Sequence, residues 1–217
     1  AVAHRDLLIV HCDGQDVQYI VALDKRSGKT AWKTDRSFDL SGFQPDFRKA
    51  YSTPLVIEVA GEPQLISTAA QCAVAYDPSS GRELWRLPYK GFSNVSRPVA
   101  SHGLLFINTG FPKSELWAVR PGTNGPLNDD QIVWKFNRNV PNKPSVVLAD
   151  GLVLMVSDSG IVTCLEADSG KEVWTHRLGG NHSASPVHAA GRVYLFDHDG
   201  KATVLEPGRE YRELAVN

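Results

Sequence analysis

Four times along these 217 residues a short hairpin turn containing glycine ends on a tryptophan, and in three of the four an acid opens the turn. Three copies keep one spacing: Asp24, Gly28, Trp32; Asp77, Gly81, Trp85; and Glu166, Gly170, Trp174. A fourth, Ala118-Val119-Arg120 to Trp134, is stretched by an insertion and lacks the acid. The turn has a physical basis. A carboxylate at the end of a strand accepts hydrogen bonds from the backbone N–H groups that follow it, and glycine supplies the positive φ that closes the hairpin. The next strand then presents a large flat indole once per module, suited to wedging between adjacent sheets. A period of 40–50 residues built from strand formers predicts an array of small sheets rather than one continuous sheet.

The other parts of the module agree. Prolines open the first strand at Pro54, Pro98, Pro144 and Pro186, where a missing N–H costs no ladder bond. Glycine turns follow at Gly61, Gly103, Gly151 and Gly191, each leading into an apolar second strand. Leu104–Ile107 and Val146–Val156 are the most apolar stretches and read as buried strands. Four short antiparallel strands per module describe a β-propeller blade. The fold class expected is therefore all-β, a single domain over residues 1–217. Its blades are expected at about 6–36 (partial, lacking its first strand), 50–92, 94–138, 142–180 and 182–217. The last is degenerate, with Leu214 expected where the tryptophan belongs. No long helix is expected.

Composition narrows the function. A net charge of −1 leaves no basic excess to neutralise phosphates, so nucleic acid is not an expected partner. No apolar run approaches the ~18–20 residues a membrane-spanning helix needs. Cys12, Cys72 and Cys164 are odd in number and far apart, which suggests free thiols rather than a zinc site or disulfide framework. No signal-peptide pattern opens the chain, and the incomplete first module suggests part of a longer protein.

The A-x-D-x-x-x-G-K-x-x-W hairpin resembles the repeat of pyrroloquinoline-quinone (PQQ) enzymes and of their non-catalytic relatives, the PQQ-like β-propellers, including the BamB type. The resemblance covers nearly the whole chain. It implies a ring of roughly seven or eight blades, exported to the periplasm or cell surface. A closed five-bladed ring is the alternative, its C-terminal strand completing the first blade. Quinoprotein dehydrogenases of this family hold the cofactor against a vicinal cysteine disulfide, a Ca²⁺ ion and a tryptophan floor. This chain has no vicinal cysteines, and its acidic residues mostly occupy turns. Trp117 stands where the other modules place Val21, Val74 and Thr163; extra packing is the reading, a quinone floor the alternative. Asp197-His198-Asp199-Gly200 lacks the later ligands of a calcium loop and reads as a tight turn.

Recognition is expected on the loops that enter the first strands. They carry Asn94, Arg97, Asn142, Lys143, Asn181, His182 and Ser183, a polar set with cations converging toward the ring axis. Simple solvation of these loops is the plainer alternative. The insertions Ser37 to Lys49 and Thr123 to Asp130 lengthen two connections, and long loops on rigid scaffolds are where binding usually resides. The function expected is a non-catalytic scaffold for a protein segment or a carbohydrate-like ligand, with strand addition at a blade edge as one mode. No cofactor is expected. A PQQ- and Ca²⁺-dependent oxidoreductase, or a receptor sensor domain, are the alternatives.

Overall fold

The computed structural model describes all of residues 1–217 and arranges them as five four-stranded antiparallel sheets. Blade I holds β1 (Val2–His4), β2 (Leu7–Asp13), β3 (Gln18–Asp24) and β4 (Thr30–Asp35). Blade II holds β5 (Leu55–Val59), β6 (Glu62–Ala69), β7 (Cys72–Tyr76) and β8 (Glu83–Pro88). Blade III holds β9 (Val99–Ser101), β10 (Leu104–Asn108), β11 (Leu116–Val119) and β12 (Ile132–Phe136). Blade IV holds β13 (Val147–Ala149), β14 (Leu152–Val156), β15 (Ile161–Glu166) and β16 (Glu172–Arg177). Blade V holds β17 (Val187–Ala189), β18 (Arg192–Phe196), β19 (Ala202–Leu205) and β20 (Glu213–Val216). Strands pair in chain order within each sheet. The only helical segments are two short 3-10 turns, Pro45–Arg48 and Asp129–Gln131.

Blade I is not missing its first strand, contrary to the sequence expectation. Val2–His4 pairs with Leu7–Ile9, but three residues on a tight turn at Arg5 carry too little periodicity to read from sequence. The last strand, β20, pairs with β19 of its own sheet and does not complete blade I. The five sheets do not close into a ring.

Middle strands such as β7, β10 and β14 are buried on both faces, which explains why they read as unbroken apolar runs. The core lies between blades as a series of clusters. One joins Ile66, Trp85 and Tyr89 of blade II to Ile107 and Trp117 of blade III. Another joins Phe106 and Trp134 of blade III to Met155 and Leu165 of blade IV.

The recurring tryptophan makes each of these joints. Trp32 Nε1 donates to the carbonyl of Pro78 at 3.1 Å, Trp134 to Ala167 at 2.9 Å, and Trp174 to Gly208 at 2.9 Å. Each acceptor lies in the acid turn of the following blade. Trp85 reaches blade III through Gln64, whose Oε1 accepts from the indole at 2.7 Å while its Nε2 donates to Gly122 O at 2.9 Å. The turn glycine therefore meets two demands. Gly81 and Gly170 have φ of +73° and +68°, and a Cβ at either would run into the indole of the preceding blade. At Gly28 the same space is open. The acid role is clearest at Asp24, which accepts from the Ser27 N–H at 2.7 Å, and at Asp77, which accepts from Ser79 N–H at 2.8 Å.

Register corrects one further expectation. The tryptophans pair with Ala22, Ala75, Ala118 and Cys164; the corresponding partner in blade V, Val204, pairs with Ala215. Ala215, not Leu214, thus occupies the tryptophan register, because blade V carries one extra residue between β19 and β20. A strict eight-residue count could not detect that shift.

Candidate functional site: an aromatic cleft on the loop face

The polar loop residues singled out from sequence do not assemble into one pocket. Asn94 is buried, and its amide donates to Tyr89 Oη and to Asn108 O, both at 3.1 Å. His182 is buried as well, with Nδ1 3.0 Å from Phe196 O and Nε2 3.1 Å from Gly179 O. Asn142 receives the Ser114 hydroxyl at 2.7 Å and donates its N–H to Asp158 at 2.6 Å. Lys143 stands 3.5 Å from the same Asp158. Arg97, Asn181 and Ser183 are exposed, and Ser183 Oγ lies 2.8 Å from His198 Nε2. The buried members hold the loops in place, and the exposed ones are spread over blades III to V.

Serines explain much of the polarity near the axis. Ser52 Oγ donates to Ser96 O, Arg97 N–H to Ser145 Oγ, and Ser145 N–H to Ser185 Oγ, each at 2.9 Å. These bonds tie the entry of one blade to the entry of the next. The Asp197–Gly200 segment is a turn, with Asp197 Oδ1 accepting from the N–H groups of Asp199 and Lys201.

The two insertions have different fates. The segment around Thr123–Asp130 folds onto the outer edge of blade II. Gly125 N–H donates to Leu84 O and Leu127 N–H to Arg86 O, both at 2.8 Å, so the chain pairs with β8 where a foreign strand would otherwise add. Leu127 is buried in the core shared by blades II and III. This insertion covers a sheet edge and does not form a free recognition loop.

The Ser37–Lys49 insertion instead builds a surface. Both of its ends are held by one buried ion pair. Arg36, immediately before it, binds Asp13 in a two-pronged contact (Nε–Oδ1 3.0 Å, Nη2–Oδ2 2.7 Å), with both side chains 1% exposed. The remaining guanidinium donors reach Tyr76 Oη at 3.0 Å and Ser67 Oγ at 2.8 Å. Asp13 O also accepts from Ala50 N–H at 3.2 Å, which anchors the far end. A buried pair with satisfied donors resists opening, because separating it would strand a desolvated charge. Burial also acts on neighbouring His11, whose pKa falls to about 4; Asp13 opposes that shift and Arg36 adds to it.

Between these anchors the insertion carries its aromatic side chains across the loop face. Phe47 stacks on Phe92 with ring centroids 4.4 Å apart, and Phe92 meets Phe111 edge-on at 5.4 Å. Phe43 and Phe47 remain 39% and 37% exposed, although large apolar side chains in a compact domain usually become covered. They form one wall of a cleft of about 990 Å³ between blades II and III, with Pro88 and Pro112 also lining it. Tyr89 and Trp117 lie at its floor, edge-on at 6.2 Å. Burial raises the pKa of Tyr89 well above the usual phenol range, so its hydroxyl stays protonated and donates to Ala69 O at 2.6 Å. Lys135 sits 4.0 Å above the Trp117 ring, and the indole N–H donates to Glu115 at 2.8 Å. Sequence reasoning missed Phe43, Phe47, Phe92 and Trp117 as one surface. The available signal was three phenylalanines within the lengthened Ser37–Lys49 connection and its flank, Phe38, Phe43 and Phe47.

No three His, Cys, Asp or Glu side chains converge as metal ligands. The three cysteines are separate free thiols, and burial pushes Cys72 and Cys164 up to about 12. Trp117 faces the interblade cleft and belongs to a core cluster with Trp85 and Tyr89.

Comparison with known proteins places this geometry. The family described as "Outer membrane protein assembly factor BamB" matches residues 16–125 and 125–209. Among curated proteins, BamB of Yersinia pestis is 23% identical over 208 residues, covering 86% of this chain and 49% of that protein. BamB of Moranella endobia (strain PCIT) is 26% identical over 208 residues, covering 86% of this chain and 50% of that protein. This chain thus spans about half the length of these relatives. Among solved structures, BamB from Moraxella catarrhalis superposes with a TM-score of 0.66 at 13% identity, covering 98% of this chain and 61% of that one. Quinohemoprotein alcohol dehydrogenase from Comamonas testosteroni gives 0.67 at 13% identity, covering 98% of this chain and 41% of that one. At such identities the two superpositions establish a shared fold and nothing more.

Proposed function

The chain belongs to the BamB-type family of PQQ-like propellers, and on that premise we propose that it is a non-catalytic scaffold that binds protein. Its relatives are outer-membrane protein assembly factors by name. The proposal extends that role to this chain: a periplasmic or cell-surface propeller that assists outer-membrane protein assembly without a cofactor. The observation that carries the reading is the partly exposed aromatic wall of Phe43 and Phe47 over the Tyr89–Trp117 floor. Aromatic side chains held rigidly on a scaffold supply large contact area at small entropic cost, which is the composition of protein-binding hot spots.

The test is genetic and uses the full-length protein. A strain lacking the gene should show reduced amounts of outer-membrane proteins, restored by the wild-type copy. A copy carrying Phe43→Ser and Phe47→Asp should fold and accumulate yet fail to restore them. Full restoration by that variant would remove the cleft from the function. Unchanged outer-membrane protein levels in the deletion strain would remove the function itself.

A further inference from the structure

We infer that the cleft between blades II and III accepts an apolar segment of a partner protein flanked by acidic side chains; the inference rests on the scaffold reading above. Each charged group around the cleft has a definite state. Asp46 is paired with Lys49, and Glu115 accepts the Trp117 indole N–H. Arg48 donates to the backbone carbonyls of Ser41 and Phe43, which fixes the aromatic loop. Lys135 lies over Trp117 and 3.6 Å from Asp129. Two cations remain. Lys90 and Lys113 line the cleft from blades II and III, are exposed, and make no ion pair.

Glu115 keeps its negative charge, because its donor is a neutral indole, so the lining is positive by one charge (Lys90 and Lys113 against Glu115) in a chain whose net charge is −1. An apolar floor between unpaired ammonium groups complements a segment with an aromatic or leucine anchor and carboxylates beside it. An apolar segment with basic flanks would bring like charges together, at a cost that specific interfaces use to reject wrong partners. The same floor of Tyr89, Phe92 and Trp117 excludes water from the anchor, so the ammonium groups at the margin govern choice more than strength.

The experiment uses three labelled synthetic peptides with one central Phe-Leu-Phe core and flanks of aspartate, serine or lysine, titrated by fluorescence anisotropy against the full-length protein. The aspartate peptide should bind best, roughly tenfold tighter than the lysine peptide at low salt, with the gap closing as salt rises. Lys90→Glu with Lys113→Glu should reverse the order, and Phe47→Ser should weaken all three peptides. Circular dichroism checks that both variants fold.

Equal affinities for the three peptides, or a preference for the lysine flanks, would overturn the inference. So would binding of phosphatidylglycerol vesicles in place of peptide, or a self-association of the protein that Phe47→Ser abolishes. Failure of every peptide would also overturn it. The scaffold reading then still depends on the genetic test, because loss of restoration in the Phe43→Ser, Phe47→Asp copy requires no particular peptide chemistry.

Discussion

Gly170 in blade IV faces the indole of Trp134 in the preceding blade so closely that an added Cβ would stand 2.5 Å from Trp134 Cδ2. The blade joint is thus made by the largest side chain against the smallest residue. Substituting Gly170→Ala should cost about 2–4 kcal/mol, from positive-φ strain and overpacking together. Gly28→Ala, at nearly the same φ of +69° but with open space beside it, should cost only about 1 kcal/mol. Urea midpoints of the two variants decide the matter. Equal losses would mean that backbone strain alone keeps glycine in the turn.

Arg36 and Asp13 make a second joint, charged and buried. Arg36→Met alone should destabilise by about 3–5 kcal/mol, because it leaves Asp13 desolvated without its partner. Adding Asp13→Leu should recover most of that loss. Limited proteolysis provides an independent readout. Cleavage within Ser37–Lys49 should accelerate in the single variant, since the pair holds both ends of that loop.

His11 makes the fold sensitive to mild acid. Its folded pKa of about 4 lies below the ordinary 6.5, so between these values the unfolded chain binds the proton and the folded chain does not. The stabilisation is complete above pH 6.5 and is lost as pH falls toward 4. At ~1.4 kcal/mol per pKa unit the loss is of order 3 kcal/mol. His11→Gln should flatten stability across that window in a series of urea titrations. An unchanged slope would assign the acid sensitivity to other groups.

The strand edge of blade II is covered by the chain itself. Deleting Thr123–Leu127 should expose the backbone of β8 at Leu84 and Arg86 and remove Leu127 from the core. The variant should self-associate at concentrations where the wild type does not, as seen by light scattering. If it stayed monomeric, edge protection would not be the role of this segment.

Much of the fold was legible because the repeat writes local geometry directly. An acid, a glycine and a tryptophan at fixed offsets describe a turn, a positive φ and an interblade wedge. Where the offset changed by a single residue, as at Ala215, counting picked Leu214 instead, since register is set by pairing and not by distance from the turn. Polar loop residues were legible as polar but not as occupied. Whether Asn94 meets a ligand or Tyr89 depends on which blade lies beside it. The aromatic cleft was hidden for the same reason. Phe47, Phe92 and Trp117 come from three distant segments, and only the buried anchors Asp13 and Arg36 bring the insertion over them.

The paired arrangement of indole and glycine also bears on how such proteins change length. In blades I to IV the final strand carries the plug, a tryptophan, and its socket is the turn of the blade that follows, so plug and socket never meet within one module. A whole module gained or lost therefore leaves every surviving plug facing a socket, whereas a fractional change leaves one of them unmatched. Ring size can drift in steps of a blade with little loss at the joints, while within a blade the spacing from acid to tryptophan is constrained from two directions at once. The stretched copy ending at Trp134 shows the condition under which that constraint relaxes. There the additional residues lie against the neighbouring blade, and Gln64 relays the contact that the turn no longer makes.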